Sequence, residues 1–171
     1  MSKQGNQQPH TPGDFGGDDR PNRIPWPPVI LLSGLAGGWL MTRLYPLPWI
    51  GGEAAALISA LGGLLIAGAL AIMVLCFLEM QKANTTILPH RGSHALVTSG
   101  PFAISRNPIY VADVMLISGT GLLTGSLWYL PFAIIAGVLI DRLAIPGEER
   151  HLEHHFGKRY RDYRKKVRRW I

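Results

Sequence analysis

Two groups of chemistry-bearing side chains lie far apart in this sequence. The first includes His94 and, within the stretch LVTSGPFAISRNPIYVADVM, the residues Arg106, Asn107 and Tyr110. The second opens the segment EERHLEHHF: Glu148, Glu149, Arg150, His151, Glu153, His154 and His155. The first group offers hydrogen-bond donors and an aromatic ring, and the second offers adjacent carboxylates. Two like charges side by side are costly unless a cation meets them, and Arg106 or a ligand can supply it. Other chemistries fit less well. His151, His154 and His155 share a helix face, and His90 and His94 are four apart, but a Gly-Ser loop separates that pair and no cysteine joins the set, so no metal site is expected. No Gly-rich phosphate loop or Ser-His-Asp arrangement is present. Two acids remain: Asp113, one turn after Tyr110, and Asp141, which Arg142 can neutralise as its neighbour.

The elements that position these groups are apolar. The chain has 171 residues and a formal net charge of +6. Of its 17 Lys and Arg, nine follow Gly147, while long stretches carry no charge. That asymmetry marks a membrane protein with a basic tail rather than an evenly charged soluble domain. Apolar runs at about Val29–Tyr45, Ala54–Leu78, Ile109–Leu123 and Leu127–Ile145 predict four spans, since about 20 apolar residues cross the hydrocarbon. The polar segment before the first run is long and partly acidic, unlike the basic start of a signal peptide. Cys76 lies in the second run as a packing residue.

The expected fold is therefore all-α and integral to the membrane, with about four transmembrane helices and a cytoplasmic C-terminal amphipathic helical segment. Residues 1–25, rich in Gly, Pro, Gln and Asn, read as a disordered cytoplasmic tail. Residues 26–146 form the transmembrane region, including a cytoplasmic loop at 81–108. Residues 147–171 form the basic tail. Lys82, Arg91 and Arg106 lie between spans two and three, so the positive-inside rule places both termini and this loop in the cytoplasm. Small residues four apart, at Gly34/Gly38, Gly63/Ala67 and Gly121/Gly125, predict close helix packing. After Pro146 the pattern changes: Leu152, Phe156, Tyr160, Tyr163 and Val167 follow one helix face, and basic residues fill the rest. Such a helix suits an interfacial anchor on anionic headgroups. Gly157 is expected to break it into a short helix and then a longer one. The basic and aromatic tail would also suit nucleic acid, but beside apolar spans the headgroup explanation needs fewer assumptions, and no nucleic-acid partner is expected.

The segment TTILPHR…LVTSGPFAISRNPIY, Thr85 to Tyr110, followed after a hairpin by EERHLEHHFGKRYRDYRKKVRRWI, resembles the isoprenylcysteine carboxyl methyltransferase family, to which phospholipid methyltransferases are related. The shared elements are Arg106-Asn107-Pro108-x-Tyr110, with Asn107 where the eukaryotic pattern has histidine, and the Glu-Glu-x-x-Leu-x-x-x-Phe-Gly-x-x-Tyr-x-x-Tyr tail from Glu148 to Tyr163. The resemblance covers roughly Glu79 to the C-terminus. It implies S-adenosyl-L-methionine as cofactor, a pocket completed by the tail, and a lipophilic acceptor entering from the bilayer. Under it, Glu148 and Glu149 would meet the cofactor ammonium. Arg106, His94 or backbone N–H groups would meet its carboxylate, and Tyr110 would lie against adenosine or sulfonium. Gly100 would bend the loop, Leu96 and Val97 would be apolar walls, and Asn107 and Pro108 would complete the cofactor set. Arg106, Tyr110 and Glu149 are the expected catalytic residues, and His94 or Glu149 would serve as base for an acceptor that needs one. Carboxyl O-methylation comes first. Phospholipid N-methylation, an NADPH-dependent sterol-type reductase and a non-catalytic membrane interaction protein are the alternatives.

Overall fold

A computed structural model describes residues 26–83 and 95–171. The expectation for residues 1–25 lies outside the described residues, as do Asn84, Thr85, Thr86, His90, Arg91 and His94. Helix α1 covers Trp26–Leu44, α2 Glu53–Lys82 and α3 Pro108–Thr124. Helix α4, Tyr129–Leu139, runs through a π turn at Ile140–Ala144 into α5, Ile145–Phe156, and α6 follows at Lys158–Lys166. A short 3-10 turn spans Gly100–Ala103. The described residues are helical apart from loops and one isolated parallel bridge between Ser105 and Arg168. Two helices are long and apolar enough to cross a membrane, Glu53–Lys82 and the continuous Tyr129–Phe156, while Pro108–Thr124 is a shorter apolar helix.

The helices run antiparallel in chain order, and their contacts show which ends meet. Thr42, near the end of α1, shares a hydrogen bond with Ser126 in the α3–α4 turn. Trp128 Nε1 donates to the Tyr45 carbonyl at 2.7 Å. The opposite end holds Tyr110 and Ile145, which belong to a core with Ile30, Ile117, Tyr129 and Ile140, and Trp26 and Trp170 pack against it.

Two sequence readings are corrected. Of the small-residue pairs, Gly34 and Gly38 do face neighbours, meeting Ile117 and the Tyr129 ring. Gly63, however, faces open space, and the helix contact in α2 is made by Gly62: a Cβ there would lie 2.4 Å from the Leu123 amide nitrogen and 2.8 Å from the Gly119 carbonyl. The buried residues of α2 are Gly62, Ala69 and Cys76, seven apart, so the stripe runs one residue off the Gly63/Ala67 pair. Gly125 is a left-handed cap at φ 68° after α3, not a packing residue within it.

The second correction concerns the helices around Gly157, and Pro146, where the pattern changes, lies inside a helix that runs on. A proline lacks the N–H and clashes with the carbonyl four residues back. Here the preceding turn widens, with the Ile145 N–H reaching the Ile140 carbonyl, and the helix continues. The break comes at Gly157, φ 51°, and the piece before it, twelve residues, is longer than the nine-residue α6 that follows.

Candidate functional site

The loop leading into α3 and the tail after α4 meet at the same end of the bundle. Gly100, at φ 58°, opens the turn that starts this loop, and a Cβ there would sit 2.8 Å from Glu79 Cγ. Ser99 Oγ donates to the Glu79 carboxylate, fixing the loop to the end of α2, and Lys82 Nζ lies 2.6 Å from the same group. Pro108 starts α3, where its missing N–H leaves no hydrogen bond unmade, and it is buried.

Across from this loop stands α6. Tyr160 and Tyr163 are buried against it: the Tyr163 hydroxyl donates to the Phe102 carbonyl at 2.6 Å, and Tyr160 Oη accepts from Arg106 Nη1 at 3.3 Å. Burial pushes both phenols up, Tyr163 to about 12, so its hydroxyl stays a neutral donor through the physiological range. The apolar face that the periodicity assigned to a lipid anchor is therefore turned inward at these two positions, onto the protein.

The motif residues pair in two distinct ways. Arg106, its side chain 11% exposed, places Nη1 3.0 Å from Glu149 Oε1. The Tyr110 hydroxyl instead donates to Glu148 Oε1, and among the described residues Glu148 has no cationic partner. Arg106 Nε is buried and, among the described residues, meets no acceptor. Asn107 turns its side chain toward the C-terminus, with Nδ2 donating to the Arg169 carbonyl at 2.9 Å. Leu96 and Val97 are half-buried, Gly100 lies against Glu79 rather than the acidic pair, and His94 is outside the described residues. Asp113 is buried one turn deeper into α3, 4% exposed.

Sequence reasoning missed two contributors, Arg169 and Trp170. Arg169 makes a two-pronged ion pair with Glu149, Nε to Oε1 at 3.1 Å and Nη2 to Oε2 at 2.6 Å. It also places Nη1 3.2 Å from Asp141 Oδ1, which Trp170 Nε1 reaches at 3.1 Å. Asp141 is thus neutralised mainly from the C-terminus, because Arg142, an exposed side chain, stands 4.0 Å away. The hydrogen bonds to Glu149 raise the Arg169 guanidinium above its ordinary range. One arginine among nine basic residues in the tail gives no sequence signal that sets it apart. No group of three His, Cys, Asp or Glu that could hold a metal occurs among the described residues.

Chemically, among the described residues, the cluster presents one carboxylate bonded only to a phenol and one buried guanidinium N–H without an acceptor. That pair suits a ligand carrying both a cation and an anion. Compared with known proteins, residues 57–159 match the family model described as phospholipid methyltransferase. The cobalt-zinc-cadmium resistance protein CzcN of Cupriavidus metallidurans is 36% identical over 66 residues, which is 39% of this chain and 31% of that protein. The match thus spans under a third of that relative's length.

Proposed function

The chain belongs to the phospholipid methyltransferase family, and on that premise we propose that it is a membrane-embedded methyltransferase that uses S-adenosylmethionine on a lipophilic acceptor. The observation that carries the cofactor reading is the division of the acidic pair. Glu149 is engaged by Arg106 and Arg169, while among the described residues Glu148 holds only the Tyr110 hydroxyl. An amino-acid ammonium fits Glu148, and its carboxylate fits the free Nε of Arg106.

When bound, the cofactor supplies an electrophilic methyl on a sulfonium. The protein's part is alignment, bringing reacting atoms to about 3 Å, and exclusion of water. Tyr110 fixes Glu148 from α3, and its ring would lie against the positive sulfonium. The loop from Ser99 to Asn107 covers the end of the bundle, held by Tyr160 and Tyr163. A carboxylate acceptor needs no base. An amine acceptor does, and Glu149, with both oxygens already engaged, is a poor choice for it.

Carboxyl O-methylation of the isoprenylcysteine type is the reading that the Arg106–Tyr110 and Glu148–Tyr163 motifs favour. Phospholipid N-methylation is the second, favoured by the description of the matched family. Four crossings with both chain ends and the central loop in the cytoplasm accompany either reading, and the antiparallel helices and the charge bias support them. The exposed lysines and arginines of α6 would rest on anionic headgroups. The deciding experiment incubates the purified protein with methyl-labelled S-adenosylmethionine and native membrane lipids. Label in a base-labile ester supports O-methylation, and label in an amine headgroup supports the second reading. NADPH binding without S-adenosylmethionine binding would instead support a reductase, and binding of neither a non-catalytic role.

A further inference from the structure

We infer that the C-terminal segment from Val167 to Trp170 is a positioning strap for the cofactor site, with Arg169 holding Glu149 against Arg106 so that Glu148 is left to take the ligand cation. The inference rests on the functional reading above for the ligand and on geometry alone for the strap.

Three carboxylates and two guanidiniums form the cluster: Asp141, Glu148 and Glu149 against Arg106 and Arg169. Glu149 Oε1 lies 3.0 Å from Arg106 Nη1 and 3.1 Å from Arg169 Nε, so one oxygen bridges the two cations. Its other oxygen takes Arg169 Nη2 at 2.6 Å. The third guanidinium nitrogen of Arg169 faces Asp141 in the π turn at 3.2 Å. Two nitrogens of this fork therefore set the Glu149 carboxylate in one orientation while the third ties the fork to Asp141, which a lysine point charge cannot reproduce.

The backbone of the strap works on the other motif. The Arg106 N–H donates to the Arg168 carbonyl at 2.9 Å. The Arg169 carbonyl accepts from Asn107 Nδ2 at 2.9 Å and from Ser105 Oγ at 3.3 Å. One short segment thus joins the α3 motif, the acidic motif and the π turn, which lie far apart in sequence. The Arg169 side chain is 36% exposed, so solvent weakens its ion pairs as sources of stability, and their orienting effect is the larger consequence. The strap also lies beyond residue 159, where the family match ends.

The test uses the full chain in detergent, with S-adenosylmethionine affinity measured by calorimetry and folding checked by thermal melting. R169Q should weaken affinity about tenfold, the scale of one charge-assisted contact, and R169K should recover part of that loss. Because Arg169 acts through Glu149, R169Q combined with E149Q should lose no more than the worse single variant. Unchanged affinity in folded R169Q, or multiplied losses with E149Q, would overturn the inference. Hydrogen exchange without ligand separates the strap from the functional reading. R169Q should speed exchange at Ser105–Asn107, and unchanged exchange there overturns the strap even if the cofactor binds. Faster exchange in a protein that binds no S-adenosylmethionine keeps the strap and overturns the cofactor reading instead.

Discussion

Glu148 and Glu149 are adjacent in the chain yet face different partners, because successive helical residues point about 100° apart. Glu149 turns to Arg106 and Arg169, and Glu148 turns to Tyr110. Replacing Glu148 with Gln keeps the shape and removes a contact to a charged ligand group worth roughly 1.5–3 kcal/mol, or about ten- to hundredfold in affinity for S-adenosylmethionine. Calorimetric titration of the purified variant checks this, with an undiminished affinity counting against Glu148 as the cation site. Asp113 belongs to the same scale. It is a carboxyl buried in an apolar helix, where such groups are costly and generally tied to function. Asp113→Asn should leave cofactor affinity intact, since Asp113 lies a turn beyond the Tyr110–Glu148 pair, while turnover of labelled native lipid falls.

At the scale of helices, packing in α2 depends on a glycine that composition cannot single out. Gly62 lies against the backbone of α3 at Gly119 and Leu123, while Gly63 next to it has no neighbour within 4 Å of a built Cβ. Backbone cannot move aside as a side-chain tip can. Gly62→Ala should therefore destabilise the bundle by about 1–3 kcal/mol, the usual cost of overpacking, while Gly63→Ala should cause no loss. Thermal unfolding of both variants in one detergent makes the comparison, and equal midpoints would contradict the helix register. The same scale explains α6. Its tyrosine face is consumed by the Gly100–Ala103 turn and Arg106. Only its charged face remains for the headgroup contact proposed above, which would be electrostatic rather than insertive.

For the whole molecule, the meeting of α1's far end with the α3–α4 turn requires that α1 and α3 run the same way and α2 and α4 return. The loop before α3 and the tail after α4 then fall on one side, which is how motifs about forty residues apart share a site. Reporter fusions after Lys82 and after Ile171 should both read as cytoplasmic, and a fusion at Gly51 should read as the opposite side. A cytoplasmic signal at Gly51 would remove the four-crossing arrangement.

Helical character and apolar runs were legible in the sequence because hydropathy and charge bias are properties of local segments, and a lipid environment leaves a chain few ways to satisfy its backbone except by helices. The broader phospholipid methyltransferase family was legible as well, since Arg106–Tyr110 and Glu148–Tyr163 are contiguous motifs. Pairing was not. The widened turn before Pro146 lets the helix run on, carrying Glu148 and Glu149 on the continuation of the last long apolar helix. The left-handed Gly157 then folds α6 back so that the segment after it reaches Asn107. Which of the tail arginines finds Glu149, and which of two neighbouring glycines meets a backbone, depends on helix rotation and on a chain reversal. Residues of identical chemistry carry no mark of either, so only the tertiary structure decided that Arg169 and Gly62 are the ones.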